Sequence, residues 1–358
     1  MSIYSKRLEK LQRKIEDSEG FLITDKSNLF YLTGFPQGGY WGLITKDKFF
    51  LLLRPLLFQQ GMNHFGSYQA KDLLKTKEII FFSAKNLFLP LVRLIKKEKL
   101  KKVSFDPEKV SLFEVNKLKK IREIEFVPKK DLLSKLREIK DNLEISFIRQ
   151  ACRLAVKGFN YAKNILRPGI NEHQVANEVE YYLKKQGAEK VAFETIVAGG
   201  TNSSYPHHLT SNYVFKKNDI VLLDLGVVYW GYSSDLTRTI FLGKINYFIK
   251  EVYRTVKKAQ ERATKKVKPG ILACEVDYSA RQIIREAGYG RYFLHNTGHG
   301  IGIDIHESPY LTPKNKKILK PGMVVTIEPG IYIPQKFGIR IEDVVLVTEK
   351  GCEILTKL

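Results

Sequence analysis

The sequence predicts two domains: an α/β domain over residues 1–132 and an α+β domain over residues 133–358 built from an internal repeat. Three observations carry this. The chain has 358 residues, whereas one domain typically holds about 100–200. Up to residue 130, short apolar runs alternate with amphipathic stretches, the pattern of a mixed or parallel sheet covered by helices. Beyond residue 140, several landmarks occur twice in the same order.

The first domain opens with charged, amphipathic residues that predict a helix over about 5–17, followed by the apolar run "GFLIT" (20–24). "YWGLITKDKFFLLL" predicts a hairpin turning at Lys46, Asp47 and Lys48. A strand "EIIFFS" (78–83), a helix near 86–97, a strand "KVSFD" (102–106) and a helix near 108–120 complete it. The polar helical stretch at 129–142 marks the boundary. A long helix then runs from about 142 to 166, where Ile145, Ile148, Cys152, Ala155 and Phe159 recur at three-to-four spacing on one face. Pro168 and Gly169 stop it, because proline has no N–H to continue the ladder.

The repeat reads as follows. "RPGI" (167–170) recurs as "KPGI" (268–271), and each precedes a helix ending at a glycine, Gly187 or Gly288. "KNDIVLLDLG" (217–226) resembles "KPGMVVTIEPG" (320–330): a turn, a buried strand, then a carboxylate two residues before glycine. Each is followed by a second strand with another carboxylate, Asp235 or Glu342. His207 follows Phe193 at nearly the distance at which His306 follows Phe293. Two such halves would pack about a pseudo-two-fold axis, with a site where their sheets meet.

Composition narrows the partners. The net charge is +22, but the lysines form scattered doublets rather than one stripe. That pattern describes a Lys-rich surface and not a nucleic-acid interface. No window approaches the ~18 uninterrupted apolar residues of a membrane span, and the N-terminus reads as a charged helix rather than a signal peptide. The three cysteines are far apart and form no CxxC, which points to a reduced, cytoplasmic protein without a thiolate metal site. Neither a nucleic-acid nor a membrane partner is expected.

The chemistry lies in four acids with strongly apolar neighbours: Asp224, Asp235, Glu328 and Glu342. An isolated acid of this kind is most simply an ion pair, Arg238 with Asp235 or Arg340 with Glu342. Four together in one cavity would repel and take up protons unless cations neutralised them. Two divalent ions would match four negative charges, and a histidine would complete the set. Three of the chain's seven histidines, His295, His299 and His306, fall within "HNTGHGIGIDIHESP" (295–309), among glycines expected to let the backbone turn tightly. A carboxylate-rich donor set with one imidazole and no thiolate favours manganese, cobalt or iron(II) over a structural zinc. Two such ions could act as a Lewis-acid pair in hydrolysis. The spacing of "GHGIGIDIHE" fits no dinucleotide loop.

These segments resemble the pita-bread metallopeptidases, and within them the Xaa-Pro peptidases (aminopeptidase P and prolidase). The likeness rests on "NLFYLTGF" (28–35), "AFETIVAGGTNSSYPHH" (192–208), "DLGVVYWGYSSDLTRT" (224–239), "FLHNTGHGIGIDIHESP" (293–309), "IEPGIYIP" (327–334) and "RIED" (340–343). It implies a creatinase-like N-terminal α/β domain and a duplicated pita-bread catalytic domain. It implies two divalent metal ions, foremost Mn(II), with Co(II), Fe(II) or Zn(II) as alternatives. Asp224 would bind one ion, His299 and Glu328 the other, and Asp235 and Glu342 would bridge them. A bridging hydroxide would attack the bond between an N-terminal residue and a penultimate proline, with Glu328 carrying the proton. His207 and His306 would position the peptide and stabilise the intermediate. His295 and Arg340 would serve the substrate or support the ligands, while His208 would face elsewhere. A homodimer acting on proline-containing peptides is implied. Strict dipeptide cleavage, cleavage of longer peptides, a methionine aminopeptidase-like activity and a non-catalytic binding protein on the same scaffold are the competing readings. The intact ligand set speaks against the last.

Overall fold

Apolar runs of four or five residues closed by turn residues become short strands, and the amphipathic stretches between them become helices. The computed structural model describes residues 3–66, 79–121 and 123–358. Two compact units, Met1–Arg137 and Glu138–Leu358, make up the chain.

The first unit runs α1 (Ile3–Gln12), β1 (Glu19–Ile23), α2 (Lys26–Thr33), β2 (Trp41–Ile44), β3 (Phe49–Leu53), α3 (Pro55–Gly66), β4 (Ile79–Ser83), α4 (Phe88–Lys97), β5 (Lys102–Phe105), α5 (Leu112–Leu118), β6 (Glu125–Pro128) and α6 (Leu132–Arg137). Its six strands form one mixed sheet in the order β4-β3-β2-β1-β5-β6. The expected hairpin joins β2 and β3, antiparallel, with Thr45 N–H donating to the Lys48 carbonyl at 2.9 Å. Every residue of β1 and β3 is buried, as befits interior strands covered on both faces. Leu22, Leu43, Phe50 and Val103 of the sheet pack with Leu91 and Leu94 of α4.

The details differ from expectation at several elements. Helix α1 ends at Gln12 rather than near residue 17. The strand expected at 78–83 is β4, described over Ile79–Ser83, and residue 78 lies outside the described residues. Helix α2 had no expectation. It is short and largely buried, so no polar face marks its period; its signals are its ends. Asp25 accepts from Asn28 N–H, and Gly34 closes it at φ +68.

The second unit repeats itself. Its first half holds α7 (Asn142–Ile165), α8 (Glu172–Lys185), β7 (Lys190–Val191), β8 (Ile196–Gly199), β9 (Ile220–Leu225), β10 (Val227–Tyr229), β11 (Tyr232–Ser233) and β12 (Leu236–Phe241). Its second half holds α9 (Tyr247–Lys266), α10 (Ala273–Glu286), β13 (Gly298–Gly300), β14 (Glu307–Leu311), β15 (Val324–Ile327), β16 (Gly330–Ile333), β17 (Phe337–Arg340), β18 (Asp343–Val347) and β19 (Cys352–Ile354). Antiparallel sheets β12-β9-β8 and β14-β13-β15-β18-β19 form the two centres. Each backs a separate core: Leu154, Val175 and Leu223 on one side, Val256, Val276 and Val325 on the other.

The duplication holds bond for bond. Gly169 N–H donates to the Phe215 carbonyl at 2.9 Å, and Gly270 N–H to the Leu319 carbonyl at 2.9 Å. Asn218 N–H reaches the Leu242 carbonyl at 3.0 Å, and Gly322 N–H the Val347 carbonyl at 2.9 Å. Asn218 and Gly322 both have positive φ, +70 and +85. Helices α8 and α10 end alike: Ala188 N–H returns to Leu183 and Tyr289 N–H to Ile284, past Gly187 and Gly288 at positive φ. Helix α7 starts on a reciprocal cap between Asp141 and Glu144, a device worth about 1 kcal/mol.

Candidate metal centre

The four acids converge because the repeat sets them at matching strand ends. Asp224 lies in β9, which pairs with β8 on one side and β12 on the other. Glu328 is its counterpart just past β15. Asp235 stands immediately before β12, and Glu342 lies between β17 and β18. Of the four, only Asp224 is therefore inside a strand, whereas the sequence put Asp235 and Glu342 on the second strands. Strand ends free the backbone to aim the other three inward.

All four line one cleft of about 890 Å³, together with His207, His295, His299, His306 and Arg340. Asp235, His299 and Glu342 each offer an atom within 4.8 Å of the others'. His299 Nε2 lies 3.4 Å from Glu328 Oε1 and 3.8 Å from Asp235 Oδ2. Its Nδ1 sits 3.1 Å from the Gly300 carbonyl; that nitrogen therefore carries the proton, leaving the Nε2 lone pair toward the acids.

The charges behave as a crowded, dry cluster must. Burial, then Glu342, Asp224 and Glu328, hold Asp235 well above the usual carboxylate range. Burial, then Glu328 and Asp224, do the same to Glu342. Burial pushes Glu328 up to about 7 against the pull of Arg340. Burial lowers His299, and burial with the neighbouring His299 and His207 lowers His306. Asp224 Oδ1 is buried without a hydrogen-bond partner. An orphaned carboxylate oxygen, an open imidazole lone pair and three acids held back from ionising fit a divalent cation.

The ion pairs that would account for single isolated acids do not form. Arg238 pairs with Asp343 at 2.7 Å instead of Asp235. Arg340 pairs with Asp224 Oδ2 at 2.5 Å instead of Glu342. Arg340 also donates to Tyr332 Oη at 2.7 Å and to the Pro206 carbonyl at 3.1 Å. His295 Nδ1 donates to the Asn296 carbonyl at 2.8 Å, so its Nε2 accepts from Tyr332 Oη at 2.9 Å. Burial, then Arg340, lowers His295 to about 3. Both its ring nitrogens are thus engaged within the protein.

His207 and His306 are exposed at the cleft. The His306 ring meets that of His299 edge-on at 4.4 Å, and the adjacent Glu307 turns away to Lys140 at 3.4 Å. His208 faces Glu172 at 2.8 Å. His173 is exposed and also lines the cleft. His64 packs among Phe35 and Phe65 in the first unit.

Sequence reasoning missed the hydroxyls that steer the acids. Thr237 donates to Glu342 at 2.7 Å, and Thr326 to Glu328 at 3.4 Å. It also missed Tyr332, whose fully buried ring needs a partner for its hydroxyl. Polar tips at inward positions of "DLTRTI", "VVTI" and "GIYI" were the available signal. The glycines of "HNTGHGIGIDIHESP" serve close packing rather than turning. Gly298, Gly300 and Gly302 lack positive φ. A side chain at Gly298 would strike the Thr326 carbonyl, one at Gly300 the Ser308 carbonyl, and one at Gly302 the Glu307 carboxylate.

Known proteins are similar to this chain in sequence and fold. A family model for metallopeptidase family M24 matches residues 146–349, and one for the creatinase/prolidase N-terminal domain matches residues 7–139. The Xaa-Pro dipeptidase of Pyrococcus furiosus is 49% identical over 210 residues, 59% of this chain and 60% of that protein. The stretch aligned with that relative is thus less than two thirds of its length. Among solved structures, Xaa-Pro dipeptidase from Bacillus anthracis matches with a TM-score of 0.92 and 35% identity, covering 99% of this chain and 98% of that one. X-Pro aminopeptidase from Thermotoga maritima matches with a TM-score of 0.87 and 33% identity, covering 98% of each. A creatinase-type N-terminal domain followed by a duplicated pita-bread domain with clustered acids places the chain in metallopeptidase family M24.

Proposed function

We propose that the chain is a dinuclear-metal-dependent Xaa-Pro peptidase, hydrolysing the bond between an N-terminal residue and a penultimate proline. The observation that carries this is the convergence of Asp224, Asp235, His299, Glu328 and Glu342 on one peptide-sized cleft. Relatives named Xaa-Pro dipeptidase and X-Pro aminopeptidase support the substrate class. In this reading residues 133–358 are the catalytic domain. Asp224 would hold one ion, His299 and Glu328 would hold the other, and Asp235 and Glu342 would contribute to both. Oxygen-rich ligation favours Mn(II), with Co(II), Fe(II) or Zn(II) as alternatives. When bound, the pair supplies Lewis acidity and a nucleophile at neutral pH.

The chain's own residues do the rest. Glu328 moves the proton from the nucleophile to the leaving nitrogen. His207 and His306, at the cleft surface, donate hydrogen bonds to the oxyanion and fix the peptide. Arg340 holds Asp224 by one arm and, through Tyr332, fixes His295, so these two residues shape the substrate-facing wall. Proline calls for a dedicated site because its nitrogen has no N–H for an ordinary peptidase to grip. The family likeness supports a homodimer, and the cysteine pattern a cytoplasmic setting, with proline-containing peptides as the partner and no nucleic acid or membrane.

The test is to strip the protein with chelator, restore Mn(II), Co(II) or Zn(II), and offer Ala-Pro, Ala-Pro-Ala and Met-Ala-Ser, with products followed by mass spectrometry. Release of Ala from a proline peptide is expected. Cleavage of Ala-Pro alone identifies a dipeptidase, and cleavage of both an aminopeptidase. Release of Met alone, or no cleavage with any metal, contradicts the reading.

A further inference from the structure

The most heavily satisfied acid of the second unit lies outside the ion-binding cluster. Glu172, the first residue of α8, is completely buried. Its Oε1 accepts from Gly199 N–H at 2.7 Å and from Asn202 Nδ2 at 3.0 Å. Its Oε2 accepts from Ser211 N–H at 2.8 Å and Ser211 Oγ at 2.7 Å, and meets His208 Nε2 at 2.8 Å. These partners stand at both ends and in the middle of one loop, 199–211. That loop carries Pro206 and His207, the latter facing the cleft. A helix cap needs one such bond; five to a buried carboxylate define a loop's conformation.

The other half uses the same device. Asp277 of α10, also buried, accepts from Thr297 N–H at 3.2 Å and Thr297 Oγ1 at 2.9 Å. It pairs with Arg281 at 2.8 Å, and Arg281 donates to the His295 carbonyl at 3.0 Å. The segment it holds carries His295 and leads to His299. The matched hydrogen bonds of the repeat set Ala273 opposite Glu172 and Ala176 opposite Asp277. A buried acid at different positions, on equivalent helices, each tied to a histidine-bearing loop, is not a relic of duplication.

We infer that Glu172, aided by His208, is a positioning residue that fixes the 199–211 loop and so sets His207 over the reacting peptide bond. The inference rests on the peptidase reading. Its footing is geometric: Glu172 anchors the loop from below while Arg340 holds the Pro206 carbonyl from the site. Loosening the anchor moves His207 without touching the acids.

The test is a double-mutant cycle in the Mn(II)-loaded enzyme on Ala-Pro. Glu172→Gln puts an amide where Ser211 and His208 need an acceptor. It is expected to lower kcat about 100-fold, the effect of misplacing a group by about 1 Å, and to raise KM because His207 also fixes the peptide, with bound Mn(II) unchanged. In a His207→Ala background it is expected to cause no further fall. His208→Ala, a milder change, is expected to act in the same direction and to be absorbed by His207→Ala in the same way. Amide exchange followed by mass spectrometry is expected to quicken across 199–211 and stay unchanged across 293–299. Equal losses with and without His207, or unchanged exchange across 199–211, would overturn the inference. If the wild type cleaves no proline peptide, the peptidase reading fails, and exchange alone still decides whether Glu172 fixes the loop.

Discussion

Tyr332 shows how much of the site depends on single polar atoms in dry surroundings. Its hydroxyl accepts from Arg340 and donates to His295, and burial pushes it up to about 12, so it keeps its proton. Tyr332→Phe removes one oxygen and leaves the buried Arg340 and the half-buried His295 short of a partner. A loss of about 1–3 kcal/mol is expected, read as a lower urea midpoint at unchanged slope. An unchanged midpoint would mean that water replaces the hydroxyl. At this scale the acids and His299 were legible, because a carboxylate ending an apolar strand is costly without a reason. Their partners were not. Arg238 and Arg340 each reach across to the other half of the repeat, to Asp343 and Asp224. A contact across more than a hundred residues leaves no trace in local spacing, which offers only neighbours in sequence as partners.

At the scale of elements, β13 and β15 bring His299 and Glu328 together, and Gly298 permits it. Gly298→Ala drives a methyl group into the Thr326 carbonyl. A cost of about 1–3 kcal/mol is expected from overpacking, with a lower Tm and weaker Mn(II) uptake; wild-type values for both would show that the strands have room. In the first unit, Glu19 lies buried in β1. Burial pushes it up, but Lys129 at 2.7 Å, Ser104 and the Glu16 N–H outweigh that, and its pKa ends below the ordinary value. Its contribution to stability is therefore present above the ordinary carboxylate range and lost as pH falls through the lowered value. Lys129→Met leaves the charge unpaired and is expected to cost about 3 kcal/mol at pH 7, a cost that shrinks as pH falls through the lowered value. A pH-independent loss in urea titrations would contradict the pairing. Long, well-capped elements were legible: α7 announced itself by its apolar face and its proline stop. Helix α2 was not, since a buried helix of eight residues has no polar face to give it a period.

Over the whole molecule, the repeat was the most legible feature, because each half must supply the same turns to bury the same strands. Equivalent glycines and Asn218 appear where φ must be positive. The site follows from the repeat: Asp224 and Glu328 are the same position used twice, and Asp235 and Glu342 stand beside them. Four acids packed this way destabilise the fold unless cations are present. Chelation is therefore expected to lower Tm, corresponding to about 3 kcal/mol at roughly a hundredfold excess of free ion over Kd, and Mn(II) to restore it. A Tm indifferent to chelator would mean that the acids are neutral or paired without metal.

The most direct measurement is a calorimetric titration of metal-free protein with Mn(II), done in parallel on Asp235→Ala. The five-residue site predicts about two ions per chain in the wild type. It predicts fewer and weaker ions in the variant, which loses all cleavage of Ala-Pro. Absence of binding in the wild type, or a variant that binds and cleaves as the wild type does, would contradict it.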